Sequence, residues 1–256
     1  MATVYLAFST AGIATLKHHA EDKAVNMLVA YPLLDIFMKE RKHFNIEKWV
    51  LDSGAFSVFN SGKTISVYEY INACRGLDAA EVIALDDLES WGKSKRNAQI
   101  MWAAGINAMP VYHQGEPLEY LDWCCENSDK VGLGSKIKTK PKWLKAVFAH
   151  VWKKHGPKKL HGFGMAGLRA VETAPFDSVD ASSAFTSVGR FGQFAGFTGH
   201  QIHLRTRMKK GGFFDVWVEI VEHMRRQTWS EARWKGELTK LVDRTEDLYS
   251  GAYKEK

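Results

Sequence analysis

Carboxylates and an imidazole recur at one kind of position in this chain, at or just past the end of a short apolar run. Asp52 follows Trp49-Val50-Leu51, Asp86 follows the run from Val82 to Leu85, His113 follows Val111-Tyr112, and Asp177 and Asp180 bracket Ser178-Val179. Carboxyl groups gathered in one pocket can divide labour, because burial and neighbouring charge push their pKa values apart. One then attacks, or stabilises a cationic centre, while another moves protons. A single aspartate after an apolar run is ordinarily a helix N-cap, and Asp52 or Asp87 alone would be read that way. The repetition at several run ends points to chemistry instead.

Elements of one kind must present such residues. Residues 4–9, 49–53, 82–86, 107–113, 130–134, 159–164 and 177–182 read as strands. The segments 67–76, 94–105, 118–127 and 141–156 carry apolar residues at spacings of three and four, as amphipathic helices do. Strand–helix alternation forces parallel pairing, in a barrel or in an open doubly wound sheet. Asp52, Asp86, His113, Gly134, Gly164 and Asp180 all fall at C-terminal strand ends, which a barrel collects around one mouth. The expected fold is a (β/α)8 TIM barrel, irregular at its eighth strand, for which residues 189–205 are the candidate. The 256 residues read as one domain, with 212–256 as a helical extension carrying Phe214, Trp217, Val218, Val221 and Met224 at helical spacing.

Charge is segregated. The net charge is +6, yet residues 130–171 hold eleven Lys or Arg and no Asp or Glu. That is the footprint of a polyanion-binding face, with Lys153, Lys154, Lys158, Lys159 and Arg190 as the candidate nucleic-acid contacts. Cys74, Cys124 and Cys125 suit neither a disulfide framework nor a metal site. His18, His19, His150 and His155 read as solvated or capping residues, and no paired-His motif predicts a metal. Trp91, in the loop after Asp86-Asp87, could stack on an extruded base. No apolar run reaches a membrane-spanning length and no basic-then-apolar leader is evident, so a cytoplasmic location without a membrane partner is expected.

Five motifs occur in order: Leu51-Asp52-Ser53-Gly54-Ala55-Phe56, Ala84-Leu85-Asp86-Asp87, Val111-Tyr112-His113-Gln114-Gly115-Glu116, Val131-Gly132-Leu133-Gly134 and Pro175-Phe176-Asp177-Ser178-Val179-Asp180. Together, over about half the chain, they resemble the tRNA-guanine transglycosylase superfamily. The resemblance implies that Asp177 is the nucleophile that attacks the sugar C1′, with Asp180 in reserve, and that Asp52 assists proton transfer. It implies that Phe56 stacks on the base with His161 as the opposite wall. Asp86 would read the base edge, with His113, Gln114 and the backbone of Gly132 and Leu133 beside it. The family's late zinc-binding cysteines have no counterpart, since no Cys follows Cys125. The chain looks more like the short relatives that insert a 7-deazaguanine into DNA. The implied partners are DNA, with RNA not excluded, and a free 7-deazaguanine base, without cofactor or metal. A base-removing glycosylase, a tRNA-directed transglycosylase and a non-catalytic nucleic-acid-binding barrel are the alternative readings.

Overall fold

Eight parallel staves form the frame, and the chain supplies them in spatial order. In the computed structural model, which describes residues 3–10, 13, 24–60, 62, 64–135, 141–166, 170, 173–181, 194–195 and 201–202, the strands are β1 (Thr3–Ala7), β2 (Val25–Ala30), β3 (Ile46–Asp52), β4 (Glu81–Ile83), β5 (Ala108–Met109), β6 (Val111–His113), β7 (Lys130–Gly134), β8 (Lys159–Gly162) and β9 (Ser178–Ala181). Their order in the sheet is β5-β4-β3-β2-β1-β9-β8-β7-β6. The two ends of that order, β5 and β6, are consecutive pieces of chain on either side of Pro110. Proline lacks the N–H that a ladder needs, so the stave breaks there. β5 pairs with β4 and β6 with β7, all in parallel, and the sheet comes round as an α/β barrel of the TIM type.

Between the strands run α1 (Leu34–Glu40), α2 (Ala55–Asn60), α3 (Val67–Cys74), α4 (Trp91–Ala103), α5 (Leu118–Asn127) and α6 (Pro141–His155). Strand alternation sorts the apolar residues into two layers. Val4, Leu6, Met27, Val29, Leu51, Leu133 and Val179 face the helices. Tyr5, Leu28, Val50, Ile83, Met109 and Val111 fill the lumen. Among the described residues no helix is long and apolar enough to cross a membrane.

The missing eighth stave is β2, not the segment 189–205. In that segment Phe194–Ala195 and Gln201–Ile202 form a separate two-stranded antiparallel sheet. β2 escapes a sequence reading because Val25-Asn26-Met27-Leu28-Val29-Ala30 runs into Leu33, Leu34, Ile36 and Phe37 with only Pro32 as punctuation. Periodicity does not divide so continuous an apolar stretch. The extension expected over 212–256 lies outside the described residues, as does Arg190.

Candidate active site

The strand ends open into a cavity of about 440 Å³, lined by Asp52, Asp86, His113 and Asp180, by Phe56 and Phe163, and by Ser135 and Gly134 among others. Each polar group is placed by local chemistry. At the end of β3 the chain turns through Gly54, whose φ is +72°; a Cβ there would stand 2.6 Å from Pro32 Cδ, so this turn requires glycine. The Gly54 N–H donates to Asp52 Oδ2 (3.1 Å), and the buried Ser53 hydroxyl donates to Asp86 Oδ1 (2.9 Å). Tyr70 of α3 ties the two strands together, its hydroxyl reaching the carbonyls of Ile83 (2.9 Å) and Leu51 (3.4 Å).

Asp86 and Asp87 separate by role. Asp87 accepts the N–H of Glu89 (2.9 Å) and takes the Lys93 ammonium at 3.3 Å, which makes it a turn cap ahead of α4. Asp86 instead turns inward to His113 Nε2 at 3.1 Å. Burial alone would lower the His113 pKa, but the hydrogen bond to Asp86 and the negative charge of Asp86 and Glu116 override it and raise the value to about 9. Glu116 stands 3.5 Å from His113 Nδ1 and also accepts the His113 backbone N–H. His113 is therefore an imidazolium at neutral pH, hydrogen-bonded to Asp86 through Nε2, while its Nδ1 makes no hydrogen bond and feels Glu116 through charge across 3.5 Å.

Asp180 reaches the cavity from β9. Its Oδ1 accepts the Gly164 N–H at 2.8 Å and lies 3.5 Å from His161 Nε2. His161 is 1% exposed, beneath Asp180, with Nδ1 2.8 Å from the buried Ser178 hydroxyl. Asp52 feels the crowding most. Burial, then the charges of Asp86 and Asp180, push its carboxyl up to about 7. The cavity thus holds one carboxyl whose pKa is pushed up towards neutrality beside two others, and carboxyls with separated pKa values can divide acid and base roles.

Several expectations need correction. Asp177 is not in this cavity: it precedes β9, where its carboxylate meets Lys130 Nζ at 3.0 Å, and the same ammonium bonds Glu81 Oε1 at 2.9 Å. Glu81 and Lys130 begin β4 and β7, so the three close the floor of the barrel at the opposite mouth. His161 is a buried support rather than a wall against a base. Phe163, two residues on and edge-to-face with His161 at 4.5 Å, lines the cavity in its place. Gly132 and Leu133 spend backbone groups on the ladder, Gly132 donating to Pro110 O and Leu133 O accepting from Phe163. Their neighbour Gly134 is the one at the rim. Gln114 stands behind Ser135, whose hydroxyl donates to Gln114 Oε1 at 3.0 Å. Trp91 begins α4 and packs on Tyr120 at 5.7 Å instead of facing the cavity.

The basic cluster is misplaced in the same sense as Asp177. Lys153 and Lys154 end α6, and Lys158 and Lys159 lead into β8, so all four sit at the strand-starting mouth. Lys154 is bound to Asp122 and Lys158 to the Ser128 carbonyl. Sequence reasoning missed Ser53, Ser135, Ser178, Glu116 and Phe163. A usable signal existed for Phe163 and Ser178, which stand two residues from His161 and Asp180 and so share their strand faces. No protein-family model and no curated protein sequence matches the chain.

Proposed function

We propose that this protein is a base-exchange transglycosylase that replaces guanine in DNA with a free 7-deazaguanine derivative, and that Asp180 is its nucleophile. The observation that carries the reading is the convergence of Asp52, Asp86 and Asp180, from three different strands, on one cavity flanked by Phe56 and Phe163. Phe56, 58% exposed, puts an aromatic ring at the mouth, the kind of surface on which bases stack.

The steps balance without a cofactor. With Oδ1 of Asp180 engaged by the Gly164 N–H, Oδ2 attacks C1′ and the bond from C1′ to N9 of guanine breaks. Protonated Asp52 gives its proton to the departing base, leaving an aspartyl–sugar ester. The incoming 7-deazaguanine loses its N9 proton to Asp52, and N9 attacks C1′ as the ester bond breaks. Asp86 accepts hydrogen bonds from the N1–H and exocyclic amine of the base, a donor pair that adenine lacks. A paired nucleotide must leave the helix to reach such a cavity, at a cost of a few kcal/mol that stacking of about 1–3 kcal/mol per base offsets. The choice of DNA over tRNA follows the likeness of the motif set to the short relatives that insert a 7-deazaguanine into DNA.

The test is exchange of labelled guanine in DNA, with nucleosides analysed by mass spectrometry. Asp180→Asn is expected to abolish exchange and ester trapping, and Asp177→Asn to retain exchange in the fraction that stays folded. Full activity in Asp180→Asn overturns the assignment, and abasic product without base incorporation would make the protein a glycosylase.

A further inference from the structure

Outside the barrel, between α5 and α6, a carboxylate and two imidazoles converge on one point. Asp122 lies on α5, with His150 and His155 five residues apart on α6. Both Nε2 atoms stand 2.7 Å from the same oxygen, Asp122 Oδ1. One nitrogen or oxygen from each of the three falls within 4.8 Å of the other two. The side chains of Asp122 and His155 are nearly buried at 11% and 8% exposure, while that of His150, at 20%, borders solvent. The other carboxylate oxygen is held by Lys154 Nζ at 2.6 Å.

Two imidazoles and one carboxylate are the donor set that suits zinc and its neighbours in the first transition row. Zinc bonds of about 2.0–2.1 Å in a tetrahedron put ligand atoms roughly 3.3 Å apart. The nitrogens therefore need to draw back from Oδ1 by about half an ångström, a change that small rotations of the rings supply. The solvent-side border at His150 leaves room for a water as fourth ligand. Lys154, half exposed, competes for the same carboxylate and can swing into water. The five-residue separation falls outside the three- and four-residue spacings that place ligands on one helix face, which is why the sequence does not announce the set.

We propose that Asp122, His150 and His155 form a binding site for a divalent transition-metal cation of the zinc class, which staples α5 to α6 far from the cavity. The site is independent of the proposed exchange reaction and its role is structural. The competing account is a metal-free cluster in which Asp122 simply accepts hydrogen bonds.

The experiment uses the full chain, freed of metal by chelator dialysis and titrated with Zn²⁺ alone, then with Co²⁺. One equivalent is expected to bind at micromolar or tighter affinity and to raise Tm by several degrees. The Co²⁺ spectrum should show tetrahedral bands without thiolate charge transfer, which separates this site from one formed by the cysteines. His150→Gln and His155→Gln should each weaken binding at least tenfold, while His43→Gln, on an exposed turn, should not. Lys154→Met should tighten binding several-fold by removing the competing ammonium, a gain that misfolding does not imitate. Absence of a saturable equivalent in the wild type, or unchanged Zn²⁺ affinity in His155→Gln, overturns the proposal in favour of the hydrogen-bonded cluster.

Discussion

At the scale of single residues, Asp52 bears the cost of placing three carboxylates in one cavity. Its pKa rises to about 7 in the folded chain, by burial first and then by Asp86 and Asp180, against about 3.9 when unfolded. A carboxyl raised on folding costs nothing below its unfolded pKa. The penalty grows as pH rises from about 4 to 7 and is complete above that. At about 1.36 kcal/mol per unit the ceiling is about 4 kcal/mol, reduced because Asp52 borders cavity water. Asp52→Asn should therefore raise the stability of the protein at pH 8 by about 1–3 kcal/mol and leave it nearly unchanged at pH 4, measured by urea unfolding at both pH values. Equal effects at the two would mean that Asp52 titrates as an ordinary surface carboxyl.

At the scale of elements, β7 shows how a strand's small residues build a site. Its lumen-facing positions 132 and 134 are both glycine, and each leaves room for a ring on a neighbouring strand or turn. A Cβ at Gly132 would stand 2.5 Å from Phe163 Cε2, and one at Gly134 would stand 2.5 Å from His113 Cδ2 and 2.9 Å from Nε2. His113 has little room to retreat, because Asp86 and Glu116 hold both sides of it. Gly134→Ala should cost about 1–3 kcal/mol, as overpacking does, and should displace His113 from Asp86. The His113 pKa, read by NMR, should then fall from its raised value, whereas Gly92→Ala, with only Ser90 Oγ near at 3.8 Å, should leave it in place. A His113 titration unmoved by Gly134→Ala would remove the packing argument. The same strand marks what was legible in the sequence. The apolar-polar alternation and the polar residues closing the runs exposed seven staves and placed Asp52, Asp86, His113 and Asp180 at one mouth, while Phe56 came from the resemblance. What misled is Asp177: the run 177–182 reads as a strand with Asp177 at its start, and only the resemblance makes that residue the nucleophile, whereas pairing of β9 begins with Thr3 opposite Ser178. Asp177 therefore lies at the floor, while Asp180, already expected at a C-terminal strand end, lines the cavity. His161 misled for a different reason: its run reads as a strand and pairs as one in β8, but its role as a stacking wall came from the resemblance alone, and the side chain is buried.

At the scale of the whole molecule, parallel strands give the barrel two unlike mouths, and charge follows the chain direction. Helices of a βα unit end where the next strand starts, so the lysines at the end of α6 are delivered to the floor and not to the cavity. The seven residues of β3 span roughly 23 Å at about 3.3 Å per residue, or about 19 Å along the barrel axis for strands tilted by about 36°. That is more than two Debye lengths at physiological salt, where the length is about 8 Å. Lys153 and Lys159, two of the three exposed lysines of the cluster, are thus too distant to act on a nucleotide entering the cavity through salt water. Their effect on DNA has to come from direct phosphate contact or not at all. Each phosphate contact contributes a slope of about −0.9 in log affinity against log salt. With DNA on the cavity mouth, the double variant Lys153→Ala and Lys159→Ala is expected to keep both its duplex affinity and its salt slope, measured by fluorescence anisotropy from low to physiological salt. A slope reduced by nearly two contacts would show the duplex lying across the floor, and the proposed route of a nucleotide into the cavity would then be wrong.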